Sequence, residues 1–118
     1  MKKSLGLFAV LLLLLVTVVG CGSGENKDLT LEKFIKAYQD EGIEVDPEKK
    51  PVYNMINAKD GVIFTIDRDK VAIYEYASEK DLDKNMKDND LIKDWPRNGR
   101  FLLESDNGQA NEIFKSVN

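Results

Sequence analysis

The side chains able to do chemistry are few. Histidine is absent and Cys21 is the only thiol, so the commonest general base, the commonest transition-metal ligand and any internal disulfide are missing. Carboxylates remain. Asp67 and Asp69 flank Arg68 between two apolar runs, a pair that acid and base work could use. An exposed turn does not shift such groups, however, and aspartate is an ordinary turn former. Asp83, Asn85, Asp88 and Asp94 fall within a twelve-residue window reminiscent of a calcium loop, but Lys87 occupies a ligand position and Asp88 stands where the turn needs glycine. The stretch reads better as a solvated helix face and loop. Gly108 opens a helix that could meet an anion, with no phosphate loop or serine elbow beside it. No catalytic group, metal site or cofactor is expected, and the chain is not read as an enzyme.

Cys21 stands apart because of what precedes it. Lys2 and Lys3 lead a 15-residue apolar run from Leu5 to Val19, and small residues follow; this is the layout of a secretory signal. The junction Val18-Val19-Gly20-Cys21 resembles the lipobox of bacterial lipoproteins. The resemblance implies that the Cys21 thiol receives a diacylglycerol thioether, that residues 1–20 are removed, and that Cys21 becomes the new N-terminus, held by acyl chains such as palmitate. Two or more chains hold a protein on a bilayer far more firmly than one. The protein is then placed on the outer face of the cell membrane, anchored without spanning it. An uncleaved anchor is one alternative, although the apolar run is shorter than the roughly 20 residues that span a bilayer. An ordinary signal peptide with an incidental cysteine is the other.

Without residues 1–20 the chain carries 15 basic against 21 acidic side chains. An acidic surface of this kind argues against nucleic acid, which requires clustered cations, and against a polybasic membrane patch. Residues 21–28 comprise the cysteine and a small, polar tether, Gly22-Ser23-Gly24-Glu25-Asn26-Lys27. Residues 29–118 suffice for one small domain.

Within that domain, Thr30 is placed to cap a helix whose Leu31, Phe34, Ile35 and Tyr38 recur at helical spacing, and Gly42 is placed to end it. Residues 51–58 suggest a short helix after Pro51, with a strand as the alternative. The runs Val62 to Ile66 and Val71 to Tyr76, separated by residues 67–70, predict a hairpin. Pairing Ile66 with Val71 sets Phe64 opposite Ile73 and Val62 opposite Glu75. One face then carries Val62, Phe64, Ile66, Val71 and Ile73 and is the core. Ser78 to Asp81 resembles a capping box before a helix over 79–88. Residues 88–99, with Pro96 and the turn dipeptide Asn98-Gly99, read as a loop. Residues 100–104 make a third strand, and Ala110, Ile113, Phe114 and Val117 mark a last helix.

The resulting expectation is an α+β domain with element order α-α-β-β-α-β-α. A right-handed crossover would lay the third strand beside the first, giving a small three-stranded antiparallel sheet of order 2-1-3 with the helices packed on one face. The opposite face would present Ile63, Tyr74, Tyr76 and Leu102, with Trp95 at its edge, a speculative binding surface. The competing expectation is that the loop of residues 88–97 folds over that face and closes a second core. The run from Pro51 to Gly61, the segment Ile73-Tyr74-Glu75-Tyr76 and Asn98-Gly99-Arg100-Phe101 together resemble small lipoproteins of Gram-positive bacteria. That resemblance supports the α+β fold and implies no functional residue.

The functional expectation is a membrane-anchored extracytoplasmic lipoprotein acting as a non-catalytic binding or interaction module. Its partners would be membrane lipid through Cys21 and an extracytoplasmic protein, peptide or small solute. A cell-envelope hydrolase working with carboxylates is the alternative, and a passive accessory subunit of an envelope complex is a further one.

Overall fold

A computed structural model describes residues 29–118; the leader, Cys21 and the tether lie outside them. Thr30 caps the first helix, α1 (Leu31–Asp40), by accepting the Lys33 amide at 3.2 Å. Phe34, Ile35 and Tyr38 form its buried face. Past its end Gly42 takes φ +86°, the left-handed conformation that glycine adopts without strain. The short helix expected at 51–58 contracts to a single 3-10 turn, Tyr53–Ile56, stopped by Asn57 at φ +61°.

β1 (Asp60–Ile66) and β2 (Asp69–Glu75) form the hairpin. The register differs from the expected one by two residues: Ile66 pairs with Asp69, Phe64 with Val71 and Val62 with Ile73. The loop is only Asp67-Arg68, both at positive φ, the two-residue turn whose twist matches that of the flanking strands. Because a shift of two residues preserves the pleat, each side chain keeps its predicted face.

α2 (Glu79–Asp88) follows, capped by the Ser78 hydroxyl, which accepts the Asp81 amide at 3.0 Å. Next come β3 (Arg97–Asn98), β4 (Phe101–Glu104) and α3 (Gly108–Ser116), the last capped by the Asn107 side chain. The sheet is therefore four-stranded and antiparallel between neighbours, with order β1-β2-β4-β3, not three-stranded with order 2-1-3. The expected element order omits β3. β4 is antiparallel to both β2 and β3, so β3 runs parallel to β2. The crossover after β2 thus delivers the two-residue β3, which the sequence reading leaves in a loop. The Gly99-Arg100 turn, with Gly99 at φ +62°, then folds β4 back between β2 and β3. The edge of β1 expected to receive a strand instead meets Lys49, whose carbonyl accepts the Ile63 amide at 3.1 Å.

Nor do the helices share one face. α1 and α3 cover the face bearing Val62, Phe64, Ile66, Val71, Ile73, Phe101 and Leu103. Asn98 joins α3 to the sheet, its amide donating to the carbonyls of Phe114 and Val117 at 3.0 and 2.8 Å. On the other face Ile56 and Ala58, Leu82 of α2 and Ile92 of the following loop enclose Ala72, Tyr74, Tyr76 and Leu102 in a second core.

Candidate functional site

At the border of the second core Trp95 reaches the surface, with Tyr74 beneath it. Ile92 is fully buried and pins the loop after α2. The Ile92 amide donates to the Asn89 carbonyl at 3.2 Å and the Trp95 amide to the Ile92 carbonyl at 3.1 Å. These local bonds turn Leu91 outward, 64% exposed, and lay the half-buried Trp95 ring over Tyr74, with centroids 6.1 Å apart and planes 25° from parallel.

The Tyr74 hydroxyl donates to Glu104 Oε1 at 2.7 Å, and Lys70 Nζ donates to Glu104 Oε2 at 3.0 Å. Burial, then the hydrogen bond and negative charge of Glu104, push the Tyr74 hydroxyl far above its ordinary range. It therefore keeps its proton, and its bond to Glu104, well past the pH at which an ordinary tyrosine ionises. A cleft of about 490 Å³ opens beside this arrangement, lined among others by Arg68, Lys70, Trp95, Glu104, Ser105 and Asp106. It combines an aromatic surface with guanidinium and ammonium donors and carboxylate acceptors. Such a set can stack on and hydrogen-bond a ligand.

From Trp95 the surface continues toward the start of β1 as an apolar groove of about 390 Å³, lined by Pro51, Val52, Met55, Ile63, Tyr74 and Leu91 among others. The five residues expected to form an open face thus separate. Tyr76 and Leu102 are wholly inside the second core, where Tyr76 donates to the Ile56 carbonyl at 2.7 Å. Tyr74 is buried yet lines the groove, and Ile63 and Trp95 are partly covered. The face is closed because the loop after α2 folds over it. Lys70, Arg68, Glu104 and Asp106 were missed by the sequence reading. Charges ending two strands were the signal, but their convergence depends on the strand order.

The remaining carboxylate motifs are used locally. Asp83 pairs with Arg97, and Asn85 bonds the Asn57 amide and the Asp81 carbonyl. Asp69 accepts from Asn107 at 2.9 Å. Ahead of Gly108, the Asn107 carboxamide accepts the Ala110 amide at 2.9 Å. No group of three or more carboxylate or thiol side chains placed to hold a metal ion occurs among the described residues.

Comparison with protein-family models, curated proteins and solved structures gave no match.

Proposed function

We propose that this chain is a membrane-anchored extracytoplasmic lipoprotein whose domain is a non-catalytic binding module, presenting the Trp95 cleft to a protein, peptide or small solute. The observation that supports this reading is the half-buried Trp95 ring, seated on Tyr74 and bordered by the Lys70–Glu104 pair. An indole with one covered and one open side supplies contact area at little entropic cost. The partners around it are already fixed, so a ligand meets a preorganised surface. The anchor is supported by the leader and by Val18-Val19-Gly20-Cys21.

A photocrosslinking side chain placed at Arg68 in intact cells tests the cleft, with the same group at exposed Lys115 of α3 as the control. The expected result is an adduct from position 68 alone, lost on Trp95→Ala. Identical adducts from both positions, or one indifferent to Trp95→Ala, would remove the cleft as the site. For the anchor, Cys21→Ser is expected to release the chain from membranes; retention would point to an uncleaved leader.

A further inference from the structure

Val52, Met55 and Leu91 are the large apolar side chains that stand most exposed among the described residues, at 63%, 77% and 64%. All three line one groove. Single exposed apolar residues are ordinary, whereas a cluster of them marks a contact surface.

Charge distinguishes the same place. From residue 49 to residue 59 the chain carries Lys49, Lys50 and Lys59 and no carboxylate, while the other described residues hold eleven basic against nineteen acidic side chains. Lys50 meets Asp60 at 2.9 Å and Lys59 lies 3.9 Å from Glu75, with 40% and 57% of the two lysine side chains still exposed. Lys49 is exposed as well. Val52 and Met55 stand between these lysines, with Glu48 and Asp60 closing the run and Asp90 beside Leu91, and the lysines are complementary to an anionic bilayer surface. The apolar groups enter the boundary between headgroups and acyl chains, and the ammonium groups stay at the level of the phosphates.

The entry of the chain agrees. Leu29 lies against the β3–β4 turn, where a Cβ on Gly99 would fall 2.7 Å from Leu29 Cδ1. Pro51 lies against Gly61 near the start of β1, where an added Cβ would be 3.1 Å from Pro51 Cγ. Gly61 faces Tyr74 and Tyr74 faces Leu102 in register, so both contacts belong to one end of the sheet. β4 and β1 are separated there by two strand spacings, about 10 Å. The eight peptide units from Cys21 to Leu29 reach about 29 Å at most. A tether of that length can lay Val52 and Met55 on the bilayer that holds Cys21, and it keeps the domain close to that bilayer. The Trp95 cleft opens beside the Asp67-Arg68 turn and shares Lys70, Trp95 and Glu104 with the far end of this groove.

We infer that Val52, Met55 and Leu91, with Lys49, Lys50 and Lys59 beside Val52 and Met55, form a second, peripheral contact with an anionic membrane. This inference rests on the membrane-anchored reading above. The full chain, purified with its acyl group, is reconstituted into vesicles of phosphatidylglycerol and phosphatidylcholine. With Cys21 consumed by lipid, Met55→Cys and Lys115→Cys each offer one thiol to a membrane-impermeant maleimide.

Met55→Cys is expected to react about tenfold more slowly than Lys115→Cys, the protection that burial in the interface confers on one side chain. The rates should converge in detergent, and Lys49→Glu or vesicles of phosphatidylcholine alone should narrow the gap. Equal rates in anionic vesicles overturn the inference. So does protection seen only in native membranes, where a partner protein would be the cover, or protection that grows with protein density, which indicates a second copy. Flotation of the Cys21→Ser chain is read on vesicles of phosphatidylcholine alone, where the lysines find no anionic lipid: retention there counts against the acyl anchor, while the Met55 comparison in anionic vesicles still decides the contact.

Discussion

Glu75 and Arg100 form the most withdrawn ion pair among the described residues. Arg100 Nη2 donates to Glu75 Oε2 at 2.9 Å, the two side chains are 17% and 12% exposed, and the guanidinium lies 4.9 Å from the centre of the Phe101 ring. Such a pair adds little net stability, because both charges lose water, but splitting it leaves a carboxylate poorly compensated. Arg100→Met is therefore expected to lower the unfolding free energy by about 3 kcal/mol, and Glu75→Leu with Arg100→Met by clearly less. Urea unfolding of the single and double variants measures the difference; a double variant as unstable as the sum of the singles would show that the two residues act independently. The sequence places Glu75 opposite Val62, and nothing near Arg100 announces a partner. Their meeting depends on Glu75 pairing with Phe101 across β2 and β4. The helix caps at Thr30 and Ser78 were legible, because each is decided within about four residues, and the turn dipeptide Asn98-Gly99 marked a turn that the structure sets one residue later, at Gly99-Arg100. Trp95 was legible as a lone aromatic in a loop, whereas Lys70 and Glu104 beside it required the fold.

At the level of elements, the hairpin shows how a wrong loop length leaves a right answer about faces. The sequence reading gives four residues to the loop, and the structure gives two. Asp67 and Arg68 stand at φ 50° and 78°, where a Cβ costs about 1 kcal/mol or more per residue. The pattern of alternation fixes which side chains point together, since it has a period of two, but it does not distinguish registers two residues apart. The same blindness hid β3: two residues, Arg97 and Asn98, are too short to carry a pattern. The turn's strain can be relieved. Asp67→Asn with Arg68→Gly is expected to raise stability by about 1 kcal/mol, because asparagine and glycine suit two successive left-handed positions. Chemical denaturation measures the change, and a loss of stability would show that the Arg68 side chain holds the hairpin in a way its exposed position does not suggest.

For the molecule as a whole, the governing fact is a sheet covered on both faces. Antiparallel sheets commonly leave one face to water; here Val71 to Glu75 of β2 are all buried. Tyrosine hydroxyls tie together the elements that cover each face. Tyr38 joins α1 to α3 through the Ala110 carbonyl at 2.7 Å, and Tyr76 joins the end of β2 to the 3-10 turn through the Ile56 carbonyl at 2.7 Å. Burial raises the Tyr76 hydroxyl from near 10 to about 12, with Asp81 adding to the rise, and burial raises Tyr38 further still. The folded protein thus holds these protons more tightly than the unfolded chain does. Their contribution is complete below pH 10 and is lost as the pH climbs through about 12. Asp60 has the opposite sign. Burial pushes its acidity toward the neutral form, but hydrogen bonds from Lys50 and the Gly61 amide, with the charges of Lys50 and Lys59, outweigh it and hold the carboxyl below its ordinary value of 3.8. Its contribution is present above that value and fades as the pH falls below it. The denaturation midpoint should therefore decline on the acid side through Asp60 and more steeply above pH 10, with tyrosinate absorbance at high pH appearing together with unfolding. Tyr76→Phe should soften the alkaline decline while lowering stability at neutral pH by about 1 to 2 kcal/mol, because the Ile56 carbonyl loses its donor inside the second core. An alkaline decline unchanged by Tyr76→Phe would mean that the second core opens before its tyrosine ionises.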